Sequence, residues 1–204
     1  MTTSTTDYIE YGKRILQEET DAIASMVPLL GENFAKVCQA VGECKGRVVF
    51  AGVGQSAHAA RKSAASLASL GTPSFYVHAT EALHGDMGMI TAEDVVILIS
   101  HSGETKETLN MLSVLKNLGP KTIALTGNAE STLAKNCDFV LATHIKKEAG
   151  TIQFAPTSSA VATIALLDAM LSAVAVGRGF SEKDYARFHP AGSLGKMLLG
   201  DESL

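Results

Sequence analysis

Ser100-His101-Ser102-Gly103-Glu104-Thr105 packs three hydroxyls, an imidazole and one permissive glycine into six residues, directly after the apolar run Val95-Val96-Ile97-Leu98-Ile99. A strand ending in such a loop, with a helix starting behind it, offers a phosphate neutral hydroxyls, backbone N–H groups and the positive end of a helix dipole. An ordinary N-cap needs one hydroxyl. Three exceed that need, so Ser100, Ser102 and Thr105 are read as a phosphate cradle, with His101 positioned to touch ligand from within it. A second loop, Gly52-Val53-Gly54-Gln55-Ser56-Ala57, follows the first β-branched run and matches the looser form of G-x-G-x-x-G/A. Dinucleotide binding would also require an acidic residue at the end of the second strand. That strand ends Phe75-Tyr76-Val77-His78, without a carboxylate, so nicotinamide chemistry is the weaker reading and Gly54, Gln55 and Ser56 join the phosphate-binding candidates.

Positioning these loops is the task of alternating strands and helices. β-branched runs at Arg47–Ala51, Ser74–Val77, Asp94–Ser100, Thr122–Thr126 and Phe139–Ala142 read as five buried strands. The segments Ser56–Leu70, Thr80–Leu83, Glu104–Leu118 and Ser131–Lys135 between them have helical character. Such an order predicts a parallel sheet with helices on both faces. Ahead of it, Asp7–Leu30 reads as an amphipathic helix capped by Thr5 or Thr6 and broken by Gly31, with a second helical stripe on Phe34, Val37, Cys38 and Val41. Behind it, Thr157–Val176 is apolar on nearly all sides and interrupted by Asp168, which predicts a buried helix rather than a membrane span. Thr157 and Ser158 at its start are further candidate donors, and a short helix capped by Ser181 precedes an apolar turn around Leu194, Met197 and Leu198.

The 204 residues are 46% hydrophobic and 19% charged, enough apolar side chain for one core and too little charge for a disordered chain. The expected organisation is a single domain over 1–204: N-terminal helices 1–45, an α/β core 46–178 and a tail 179–204. A net charge of −4 with no block of like charges argues against a nucleic-acid partner. A polar N-terminus and the lack of a long uninterrupted apolar run argue against a membrane partner and for a cytoplasmic protein. Cys38, Cys44 and Cys137 lack metal-type spacing and are expected as buried thiols. His78, His84 and Asp86 make a weak metal constellation, and none is expected to bind.

Four segments, Gly52-Val53-Gly54-Gln55-Ser56, Ser100-His101-Ser102-Gly103-Glu104-Thr105, Ala155-Pro156-Thr157-Ser158-Ser159 and His189-Pro190-Ala191-Gly192-Ser193-Leu194-Gly195, occur in the order found in sugar isomerase (SIS) domains. With His78 and Glu81 to Gly88 included, the chain most resembles arabinose 5-phosphate isomerases, in a short form without the CBS modules that many of them carry. The resemblance implies a five-stranded parallel α/β sandwich of flavodoxin-like type, a homotetramer, no organic cofactor, and interconversion of ribulose 5-phosphate and arabinose 5-phosphate. It also implies site residues: Glu107, Glu148, His84 and His189 for proton transfer and ring opening, with Gln55 standing where the family usually has lysine. Glu148 is the preferred base and Glu107 the alternative. Another sugar phosphate, or a non-catalytic sugar-phosphate sensor, remains the competing reading, since a neutral Gln55 removes a cation from the site.

Overall fold

The computed structural model describes residues 5–191 and Met197. The expected apolar turn around Leu194 and Leu198, and the segment from Gly192 to Gly195, lie outside the described residues. The five β-branched runs form β1 (Val48–Gly52), β2 (Ser74–His78), β3 (Val95–Ile99), β4 (Lys121–Thr126) and β5 (Phe139–Ala142). All neighbours pair in parallel, in the order β2-β1-β3-β4-β5. The three central strands have no exposed apolar side chain, because both faces of the sheet are covered.

Crossover handedness decides which helix covers which face. The chain steps one way from β1 to β2 through α3 (Gly54–Ser69), then back across β1 and onward through α4 (Ala79–Ala82), α5 (Lys106–Leu118) and α6 (Thr132–Asn136). Right-handed connections therefore place α3 on one face and the next three helices on the other. Alternate side chains record this: Val48, Phe50, Ile97 and Ile123 pack with Ala60, Ala64 and Leu67 of α3, whereas Val49, Ala51, Val96 and Leu98 pack with Met111, Leu112 and Leu115 of α5.

The α3 face also receives α1 (Thr5–Met26), α2 (Glu32–Gly42) and α7 (Ser158–Gly177). Among the described residues, α7 has the length and hydropathy of a membrane span. It packs against α1, α2 and α3 and buries Leu166, Leu167, Met170, Leu171 and Val174 in the core. Each such side chain contributes about 1.5–3 kcal/mol. The last described helix, α8 (Glu182–Phe188), begins at a full capping box between Ser181 and Asp184, as its sequence predicts.

Several helix boundaries differ from expectation. The first helix ends at Met26 and passes into a tight turn at Val27–Leu29, because Pro28 has no N–H to donate, and Thr5 and Thr6 lie inside its first turn instead of capping it. α3 starts at Gly54, two residues before Ser56. α5 starts at Lys106 and not at Glu104, because Gly103 adopts φ +69 and holds the preceding residues in a loop.

Candidate active site

β1 and β3 are neighbours whose following helices leave toward opposite faces, so their C-terminal loops open onto one crevice at the switch point of the sheet. The loops approach closely: a Cβ at Gly52 would lie 3.1 Å from the Ile99 carbonyl oxygen and 3.2 Å from Ser56 Cβ. Gln55 and Ser56 from the first loop and His101, Ser102 and Thr105 from the second line a cavity of about 450 Å³. Neither α3 nor α5 has a side chain capping its N-terminus. Their first-turn N–H groups are thus free of the partner that a capping side chain supplies, which leaves the positive dipole ends for a ligand.

Ser100 shapes the second loop from beneath. Only 2% exposed, it shares a 2.8 Å hydrogen bond with the Thr105 hydroxyl and accepts one of 3.1 Å from the Gly103 N–H. It does not line the cavity; Ser102 and Thr105 do. Glu104 ties the loop to α6 by accepting a 2.7 Å bond from the Thr132 N–H, and these bonds to Thr132 hold its carboxyl below the usual range. The His101 ring occupies the space beside Gly127, where a Cβ would come within 2.5 Å of the ring.

Glu148 reaches the same cavity from the segment between β5 and α7. Its carboxylate caps α7 from a distance in sequence. Oε2 accepts from the Thr157 N–H at 2.8 Å, the Ser159 N–H at 3.0 Å and the Thr157 hydroxyl at 3.2 Å, while Oε1 accepts from the Ser159 hydroxyl. Burial alone would raise this carboxyl, but the bonds from Ser159 and Thr157 outweigh it and hold the group below its ordinary value of 4.5. Glu148 is therefore ionised at neutral pH, and Oε1, with a single donor, is the oxygen with room for a proton.

The first helix holds this segment in place. Gly150 N–H donates to Glu18 at 2.8 Å, Thr151 N–H to the Tyr11 hydroxyl at 3.3 Å, and the Gln153 amide to the carbonyls of Glu148 and Gly150 at 2.8 Å each. Sequence reasoning missed Lys146, Lys147, Gln153, Phe154 and Ser159, all of which line the cavity. Adjacency to Glu148 was the available signal for the lysines. For Ser159 it was the run Thr157-Ser158-Ser159, of which Ser158 turns inward at 2% exposure and Thr157 is taken by Glu148 and Ala149.

Of the expected proton-transfer residues, three do not line this cavity in the single chain, and of the expected binding residues Gly54, Ser100, Thr157 and Ser158 do not. Glu107 is exposed in the first turn of α5, and His84 is exposed after α4. His189 is half-buried, stacked on Tyr185 at 3.9 Å, with Nδ1 2.9 Å from the Tyr185 carbonyl oxygen. A carbonyl only accepts, so Nδ1 carries a hydrogen. Gly54 opens α3 with φ +57. The His78 ring caps α4 through the Thr80 N–H, at 3.3 Å. Among the described residues no three of His, Cys, Asp and Glu gather as metal ligands. The cysteines are free and half-buried instead of fully buried; burial pushes Cys137 up to about 12.

A flavodoxin-like parallel sandwich with hydroxyls, helix starts and an anchored carboxylate converging on one cavity at its switch point defines the class of α/β protein. Residues 43–173 match the SIS domain model, and the chain belongs to the SIS domain family. It is 46% identical over 193 residues to arabinose 5-phosphate isomerase KdsD of Pseudomonas aeruginosa and 45% identical to KdsD of Escherichia coli K12. Each alignment covers 95% of this chain and 59% of the relative, so the chain spans a little over half their length. An Escherichia coli CFT073 protein solved in complex with arabinose 5-phosphate superposes with a TM-score of 0.89 at 41% identity, covering 92% of this chain and all of that one.

Proposed function

We propose that this chain is an aldose–ketose isomerase of sugar phosphates that interconverts ribulose 5-phosphate and arabinose 5-phosphate through an enediolate. The observation that carries this reading is the joining, in one cavity, of an ionised carboxylate with a free oxygen position, Glu148, to a hydroxyl loop at uncapped helix starts, Ser102 and Thr105. The named relatives, and the structural neighbour with arabinose 5-phosphate bound, support it. The phosphate end rests on Ser102, Thr105, Ser56 and the helix starts, which fixes the reactive carbons near Glu148. Glu148 Oε1 removes the proton from C2 of the open-chain aldose and returns it to C1, a second proton passes from the O2 hydroxyl to O1, and neutral or cationic donors hold the enediolate oxygens meanwhile.

Residues 1–204 act as one domain in this reading, in the cytoplasm, without an organic cofactor, a metal, nucleic acid or a membrane. The acidic balance speaks against nucleic acid, and the packing of α7 in the core against its being a membrane span. The working form in this reading is a homotetramer, and Glu107, His84 and His189 remain the further candidates for proton transfer and ring opening. Exposed Tyr8, Ile9 and Leu16 on α1 supply apolar surface for such contacts.

Incubation with a panel of ketose phosphates in heavy water tests the reaction: deuterium should enter the carbon next to the carbonyl of ribulose 5-phosphate. Binding without exchange would make the chain a sugar-phosphate sensor, the reading that the neutral Gln55 favours. Ser102→Ala should weaken arabinose 5-phosphate binding about tenfold, the worth of one hydrogen bond to a charged group, with the melting temperature nearly unchanged. Unaltered affinity by calorimetric titration would remove Ser102 from the phosphate site.

A further inference from the structure

The charges around the cavity do not balance. Glu148 contributes one negative charge, held in place by neutral donors of Thr157 and Ser159. Lys146 and Lys147 line the same cavity, and neither is paired with a carboxylate among the described residues. Gln55, in the first turn of α3, is neutral, and the uncapped starts of α3 and α5 add partial positive charge. Two ammonium groups against one carboxylate leave the lining with an excess of positive charge, which attracts a phosphate dianion and gains nothing from a neutral sugar.

We propose that Lys146 and Lys147 are the charge selector of the site: they pair with the substrate dianion and make affinity depend on phosphorylation. The proposal rests on the isomerase reading and adds to it the residues that supply net charge. Lys146 is the member at the phosphate end. Besides the main cavity it borders the shallow depression formed with His101 and Ser102, which places it beside the hydroxyl loop. Lys147 borders only the main cavity and directly precedes Glu148, and in this proposal it is the member nearer the reacting carbons. A serine and threonine cradle can orient a phosphate, but its hydroxyls serve a neutral hydroxyl group nearly as well; an ammonium group favours the dianion specifically.

Calorimetric titration of the full chain tests this with two probes, arabinose 5-phosphate and unphosphorylated arabinose, at low and high salt. The variants are Lys146→Gln, Lys147→Gln and the double substitution, with Lys36→Gln on α2 as a control for net charge, exposed and away from the cavity. Lys146→Gln should bind the phosphate ester about tenfold more weakly and the double variant about a hundredfold, with a flatter salt dependence. Lys36→Gln should bind as the wild type does. Because both cavity lysines are exposed, folding should be retained, and thermal melts of the single variants check it. Affinity within twofold of wild type in both the Lys146→Gln and double variants would overturn the proposal. Equal loss in Lys36→Gln would overturn it as well, since only net charge would then matter. A wild type that binds neither probe defeats the isomerase reading itself, an outcome distinct from the other two.

Discussion

Glu148→Gln should lower turnover on ribulose 5-phosphate by about 10²–10⁴-fold, the usual worth of a positioned general base, while calorimetric affinity for the sugar phosphate stays close to wild type. Glutamine keeps the length and one acceptor oxygen, so the loss isolates basicity. The variant also bears a structural cost, because the Glu148 carboxylate caps α7 through Thr157 and Ser159. A glutamine offers one oxygen and one NH₂ to a set of donors, which should reduce stability by about 1 kcal/mol, as other lost caps do. The pH dependence separates the two roles. Glu148 is held below its ordinary 4.5, so its contribution to stability is complete above that value and is lost as pH falls through the folded-state value. Wild type should therefore lose stability on acidification that Glu148→Gln does not lose, in urea melts repeated from neutral to acid pH. If Glu107→Gln abolishes turnover and Glu148→Gln does not, the two carboxylates have exchanged roles.

Gly103→Ala should cost about 2–4 kcal/mol of stability and most of the sugar-phosphate affinity. Its φ of +69 lies in the left-handed region, which alone costs an alanine about 1–2 kcal/mol. The added Cβ would also overlap the Ser131 side chain and lie 3.0 Å from the Thr126 hydroxyl oxygen. Ser131 cannot yield without a loss, because its hydroxyl caps α6 by accepting from the Ala134 N–H. The strain would pass directly into Ser102 and Thr105. Gly119→Ala is the matched comparison: φ is +89 at the end of α5, and the nearest atom to its Cβ would be Ala92 Cβ at 3.5 Å. That variant should pay the conformational cost alone and keep its affinity. Equal destabilisation of the two would show that packing against Ser131 carries no weight.

Local chemistry was enough to place the strands, since β-branched apolar runs bounded by turn residues have few other stable arrangements, and five of them stand where they were read. It was also enough for the hydroxyl loop after β3 and for the capping box at Ser181, where the partners are near neighbours in the chain. Tertiary structure decided the rest. Strand order put β1 beside β3, so Gln55 and Ser102 line one cavity although 47 positions separate them. Long-range hydrogen bonds turned Glu148 into the cap of α7 and gave the first helix, through Tyr11 and Glu18, the task of holding the segment that carries it. That Ser159 and not Ser158 lines the cavity, and that Lys146 and Lys147 line it too, was decided by which way each side chain points once its segment is docked. Spacing along the chain reports the period of an element; the neighbour that each side chain meets depends on contacts made across the fold, and those are absent from any local stretch of sequence.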